Sequence, residues 1–79
     1  MSIPVAPFNS GFAITKSDTV NFDNVTRGIF VGGAGNMSVL FADGVAATLI
    51  GCLAGHVYHV RAVRVNSTDT TATNMVGLY

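Results

Sequence analysis

The chain has 79 residues, room for one domain, and a domain that small buries only about 60% of the surface its unfolded chain exposes. Four Lys/Arg against four Asp/Glu residues give a formal net charge of zero, and charged residues are 10% of the chain against about 25% in ordinary soluble domains. These values exclude a basic stripe for nucleic acid, and a lone cysteine, Cys52, excludes an intrachain disulfide.

No stretch holds a helical period, and turn signals break the chain every eight to twelve residues or so. The pattern predicts an all-β fold, a small antiparallel β-sandwich or barrel of about six to eight short strands. Residues 1–10 hold both prolines, Pro4 and Pro7, and read as an extended N-terminal arm ahead of a single β domain at 11–79. Ile3, Val5 and Phe8 make that arm apolar, as expected of a segment laid across a neighbour.

Gly11–Thr15 is the first predicted strand, followed by an irregular segment, Lys16–Thr26. Arg27–Val31 is the second strand, and Gly32–Gly35 reads as a four-residue hairpin loop whose glycines supply positive φ. The third strand, Asn36–Phe41, puts Met37, Val39 and Phe41 on one face and Ser38 on the other. Asp43-Gly44 predicts a type I′ hairpin that returns Val45–Gly51 against it, and Ala54-Gly55 makes the next turn. Val57–Val65 reads as the longest strand. A bulge near Ala62–Val63 would turn Tyr58, Val60, Val63 and Val65 inward and His59, Arg61 and Arg64 outward. Asn66–Thr73 is a polar connection, and Asn74–Tyr79 is the last strand.

Catalytic chemistry finds no support. The Gly32–Gly35 loop lacks the Lys and the following helix of a phosphate loop, and the third glycine of a dinucleotide fingerprint. Cys52, His56 and His59 lack a fourth ligand for a structural metal, so no metal and no cofactor is expected. No serine has a base and an orienting group in a recognisable motif, and the chain is not expected to be an enzyme. Cys52 reads as a small buried hydrophobe. The opening stretch lacks a basic n-region, and the uncharged run Gly44–Val60 is interrupted by glycines and histidines, so neither a signal peptide nor a membrane span is expected.

With 49% apolar residues and little charge, much of the surface must be apolar, which points to an assembly component. The candidate contacts with sister subunits or another protein are Ile3, Val5 and Phe8 on the arm, His59, Arg61 and Arg64 on the long strand, and Tyr79. The alternative is a glycan- or peptide-binding β module that uses Phe22, Tyr58 and Tyr79.

An ordered set of short motifs runs through residues 11–79. Ser17-Asp18-Thr19 follows the first strand, and Thr26-Arg27-Gly28 opens into Val31-Gly32-Gly33-Ala34-Gly35. Asp43-Gly44, Ala54-Gly55, Val60-Arg61, Arg64-Val65 and Thr70-Thr71-Ala72-Thr73 follow in turn. Together they resemble the small head-spike base or capsid decoration (cement) proteins of tailed phages and gene transfer agents. The resemblance implies a non-enzymatic virion protein on the outer capsid surface, made in the host cytoplasm. Its implied partners are itself, as a trimeric or pentameric ring, the major capsid protein, and a spike or fibre protein where one is carried. Family members usually have Gly near Asp69, and an Asp is common where Asn36 stands, which implies a turn role for Asn36.

Overall fold

The computed structural model describes residues 8–79. Seven strands build it: β1 (Gly11–Ala13), β2 (Gly28–Val31), β3 (Gly35–Phe41), β4 (Ala46–Cys52), β5 (His56–Tyr58), β6 (Ala62–Val65) and β7 (Val76–Leu78). They form two antiparallel sheets, ordered β1-β7-β2-β5 and β4-β3-β6. The all-β expectation holds, and the molecule is a sandwich.

The register explains the core. Phe12, Gly77, Ile29 and Tyr58 lie side by side across the first sheet, so one face carries them all inward. Val39 pairs with Ala47 and with Val65 across the second sheet, and Met37 pairs with Leu49. Ile29, Val31, Met37, Val39, Cys52, Ala62 and Val65 are buried between the sheets. Ala72 and Met75, from the connection before β7, fill the remaining space.

The glycine run corrects the sequence reading. β2 and β3 belong to different sheets, so Gly32–Gly35 carries the chain across the sandwich and is no hairpin loop. None of its glycines has positive φ. They are glycines because another backbone lies against them. Gly33 and Thr73 exchange N–H···O bonds of 2.8 and 3.1 Å, and Gly32 N donates to Asn74 O at 3.1 Å. A Cβ on Gly33 would overlap the Thr73 hydroxyl, and one on Gly35 would sit 2.6 Å from Ala72 N. Asn36 is likewise no turn former. It is the second residue of β3; its backbone and side chain tie three segments, accepting from Thr71 N, Ala72 N and Gly51 N.

The long strand is two strands. β5 pairs with β2, β6 pairs with β3, and the chain changes sheets through residues 59–61. The bend lets Tyr58 pack on the core from the first sheet and buries Ala62 and Val65 from the second. The expected bulge is present: Phe41 faces Ala62 and Leu40 faces Arg64, which leaves Val63 unpaired. The inward residue is therefore Ala62, fully buried, and Val63 is the half-buried bulge.

Thr26 holds this crossing. Its buried hydroxyl donates to Val60 O at 2.8 Å and accepts from Ala62 N at 3.0 Å, while Thr26 N donates to Ala62 O at 3.0 Å. The same segment guards a sheet edge. Ser17 N, Phe22 N and Thr26 N donate to Val65, Val63 and Ala62 carbonyls, covering the side of β6 that faces away from β3.

The Asp43-Gly44 hairpin forms, with a different turn. Gly44 N donates to Phe41 O, Phe41 N donates to Val45 O, and only Gly44 has positive φ, at 92°. That is a type I turn followed by a glycine bulge; type I′ would need a second left-handed residue. Asp69 adopts φ 66°, a left-handed conformation that favours glycine.

Two stability outcomes follow from this geometry. Thr26→Val keeps the shape but strands Val60 O and Ala62 N, and is expected to cost about 2–4 kcal/mol in urea unfolding, with Thr26→Ser retaining most of it. Asp69→Gly removes the left-handed penalty, offset in part by chain entropy, and is expected to stabilise by about 0.5–1 kcal/mol in the same assay.

Candidate functional site

Residues 9–10 and Tyr79 meet on the first sheet. Asn9 N and Ser10 N donate to Tyr79 O at 2.7 and 3.0 Å, and Tyr79 N returns a bond to Ser10 O. This continues the β1–β7 ladder and steers Phe8 onto the outer face. Its ring lies on Gly28, beside Val57, where any side chain on residue 28 would meet it. His59 stacks at 6.2 Å between centroids, and the Arg27 guanidinium carbon sits 5.7 Å from the ring centre. Of the sequence-based contact residues, the structure thus brings Phe8 and His59 together and adds Arg27, which sequence reading missed. Its only signal was proximity in the Thr26-Arg27-Gly28 motif. Ile3 and Val5 lie outside the described residues.

Arg61 and Arg64 lie apart from this cluster. Arg61 is exposed, while Arg64 is half-buried and donates to Asn66 Oδ1 at 2.8 Å and Asn21 Oδ1 at 3.4 Å. Tyr79 turns its ring to the β1 side, 5.9 Å from Phe12. Phe12 in turn meets Phe22 edge-on at 5.0 Å. These three rings wall an open pocket of about 390 Å³, rimmed by Thr15, Val20, Asn21, Asp23 and Asn24. Tyr58, the third aromatic expected of a ligand-binding module, serves the fold. Its hydroxyl accepts from Leu53 N at 2.7 Å and its ring packs on the core.

The second surface is β4. Among the described residues it is the outermost strand of its sheet, seven residues long and paired on one side only. Val45, Ile50 and Leu53 are 57, 75 and 57% exposed, and Ala46, Ala47 and Thr48 are exposed with them. No charged residue occurs from Gly44 to Val60, so the edge lacks the lysines and prolines that usually keep strands from pairing with foreign chains. A bulge at Ile50–Gly51, with Gly51 at φ 73° and its N–H held by Asn36 Oδ1 at 3.0 Å, turns Ile50 outward.

Titratable groups are few. Cys52 is buried at the end of β4, and burial pushes its thiol pKa up. Thr68 donates its N–H and hydroxyl to Asp18 at 2.9 and 2.8 Å, which holds that carboxyl below the usual aspartate range. The tie is therefore intact above that range and is lost as pH falls through the lowered value. Among the described residues, no three His, Cys, Asp or Glu side chains come together as a metal site would require.

No protein-family model and no curated protein matches the sequence. Among solved structures the chain is similar to one in "Capsid of native GTA particle computed with C5 symmetry", GTA standing for gene transfer agent. The identity is 32%, the TM-score is 0.84, and the match covers 94% of this chain and 86% of the other. A likeness of that identity across nearly the whole sandwich is one of sequence and of fold alike. The chain belongs to the capsid-associated proteins of gene transfer agents and phages.

The burial of Cys52 has a direct readout. Ellman's reagent is expected to leave the native chain unmodified for minutes and to titrate one thiol after guanidinium unfolding. Prompt reaction of native protein would mean that the end of β4 opens.

Proposed function

We propose that this chain is a non-enzymatic virion protein, a capsid decoration (cement) or head-spike base protein. It sits as a homo-oligomeric ring on the outer face of the major capsid protein. The observation that carries the reading is the apolar edge β4, considered together with the capsid particle in which the related chain occurs. An uncharged seven-residue strand with Ile50 outward, flanked at its two ends by exposed Val45 and Leu53, is suited to contact with a protein surface.

A ring matched to capsid symmetry lets weak contacts act together. Burying one isoleucine is worth about 1.5–3 kcal/mol, roughly ten- to a hundred-fold in affinity per contact. Several copies bound at once multiply that factor, so a small strip per subunit is enough for stable attachment.

Ile50→Asp is the test. The side chain is 75% exposed, so its replacement is expected to shift unfolding by no more than about 0.5 kcal/mol. Co-sedimentation with capsids stripped of this protein is expected to fall at least tenfold, while the isolated variant keeps its oligomeric state. Undiminished attachment by the folded variant would rule out β4 as the capsid contact.

A further inference from the structure

We propose that the pocket beside β1 binds an uncharged sugar, a single pyranose unit of a neutral glycan. This goes beyond the capsid reading and does not depend on it, because the pocket shares no residue with β4.

The pocket's aromatic walls are positioned before anything binds. Phe12 is paired with Gly77 in the β1–β7 ladder, and its ring occupies the space a side chain at Gly77 would take. Tyr79 is held through its backbone: its carbonyl accepts from Asn9 N and Ser10 N, and its N–H donates to Ser10 O. Phe22 N donates to Val63 O at 2.7 Å, which pins the third ring to β6. The rings meet in turn, Phe22 edge-on to Phe12 at 5.0 Å and Phe12 tilted against Tyr79 at 5.9 Å. Walls already ordered lose little freedom when a ligand arrives.

The rim is of the opposite character. Asn21, Asp23 and Asn24 belong to one exposed segment beside the rings. Asn21 Oδ1 accepts from the Arg64 guanidinium at 3.4 Å, which leaves its amide N–H groups as donors. Among the described residues, no side-chain hydrogen bond occupies the Asp23 carboxylate or the Asn24 amide. An ionised acceptor with two oxygens and two amides thus stand next to an aromatic wall.

A pyranose has both characters in one small ring. Its C–H face is slightly positive and meets the electron-rich face of an aromatic ring. Its edge is a row of hydroxyls, each a donor and an acceptor, and adjacent pairs suit a carboxylate or an amide. A wholly apolar ligand would instead leave the Asp23 carboxylate desolvated and unpaired. A phosphate or an acidic sugar would face that carboxylate, and no Lys or Arg is among the described lining residues. The volume, about 390 Å³, lies at the small end of the range for small-molecule sites, about 300–1,000 Å³, and suits one sugar unit. The open mouth lets the rest of a glycan chain run out into solvent.

Saturation-transfer NMR on the full-length chain, in its native state of assembly, tests the site. The probes are the methyl glycosides of glucose, galactose, mannose and N-acetylglucosamine, with methyl glucuronide as the anionic comparison. At least one neutral glycoside is expected to take up saturation, most strongly at the C–H protons of one ring face. Asp23→Ala and, separately, Asn24→Ala are each expected to weaken that glycoside about tenfold or more. Both positions are exposed, so an unchanged unfolding midpoint is expected to accompany the loss. The glucuronide is expected to bind at least about tenfold more weakly than its neutral counterpart.

No binding of any of these glycosides at tens of millimolar would overturn the proposal; a sister copy or a peptide filling the pocket would give that result. Undiminished binding in both variants would put the sugar elsewhere on the chain and overturn it as well. A preference for the glucuronide would overturn the neutral class of ligand. None of these outcomes bears on attachment through β4, so the sugar site and the capsid reading stand or fall separately.

Discussion

The Thr26 hydroxyl sits where the chain leaves one sheet for the other, and the two-layer architecture depends on it. At Val60–Ala62 the backbone must cross the sandwich through its interior edge, where a carbonyl and an N–H would otherwise have no partner. One small side chain satisfies both. Because Thr26 also precedes β2, the same contact locks the first sheet to the second. A chain of 79 residues has few such ties to lose, and an apolar residue of the same shape could not replace this one.

A second seam joins the sheets at the other crossing. There, the run Thr70–Thr73 lies against Gly32–Asn36. Thr70 Oγ1 accepts from buried Ser38 N, Thr71 Oγ1 accepts from Asn36 N, and Ala72 drops into the core. The polar threonines therefore do the work of a strand without being one. Glycines opposite them allow the backbones to touch. Motifs that look like generic turn material in the sequence are two halves of one contact, thirty-five or so residues apart, and a change in either half would be felt by the other.

The surface divides in a way that suits assembly. One sheet edge, β6, is closed by the chain's own segment 17–26, while the edge at β4 is left open and apolar. A soluble monomer of this size would normally protect such an edge with charge or proline. The prolines of this chain are elsewhere, on the arm. The closed and the open edge are the two sides of one three-stranded sheet.

The amino-acid sequence by itself determined the class: an all-β domain of short strands, with a lone buried cysteine and little charge. Those properties are local or compositional. Alternation with period two, Gly and Asp at turns, and the balance of charge can be read without knowing what meets what. The other strand positions also came through within a residue or two, because apolar runs and turn residues bound them, but the expected single strand Val57–Val65 is β5 and β6 in different sheets. Tertiary structure alone decided which sheet each strand joins. Gly32–Gly35 is a crossing because Thr73 and Ala72 lie against it, and nothing near it in sequence carries that information. Likewise, the alternation slip at Ala62–Val63 announced a bulge, but only the partner strand β3 decided that Ala62 faces inward. The pocket at Phe12, Phe22 and Tyr79 was hidden for the same reason: its walls come from both ends of the chain and an irregular loop, and long-range closure has no local signature.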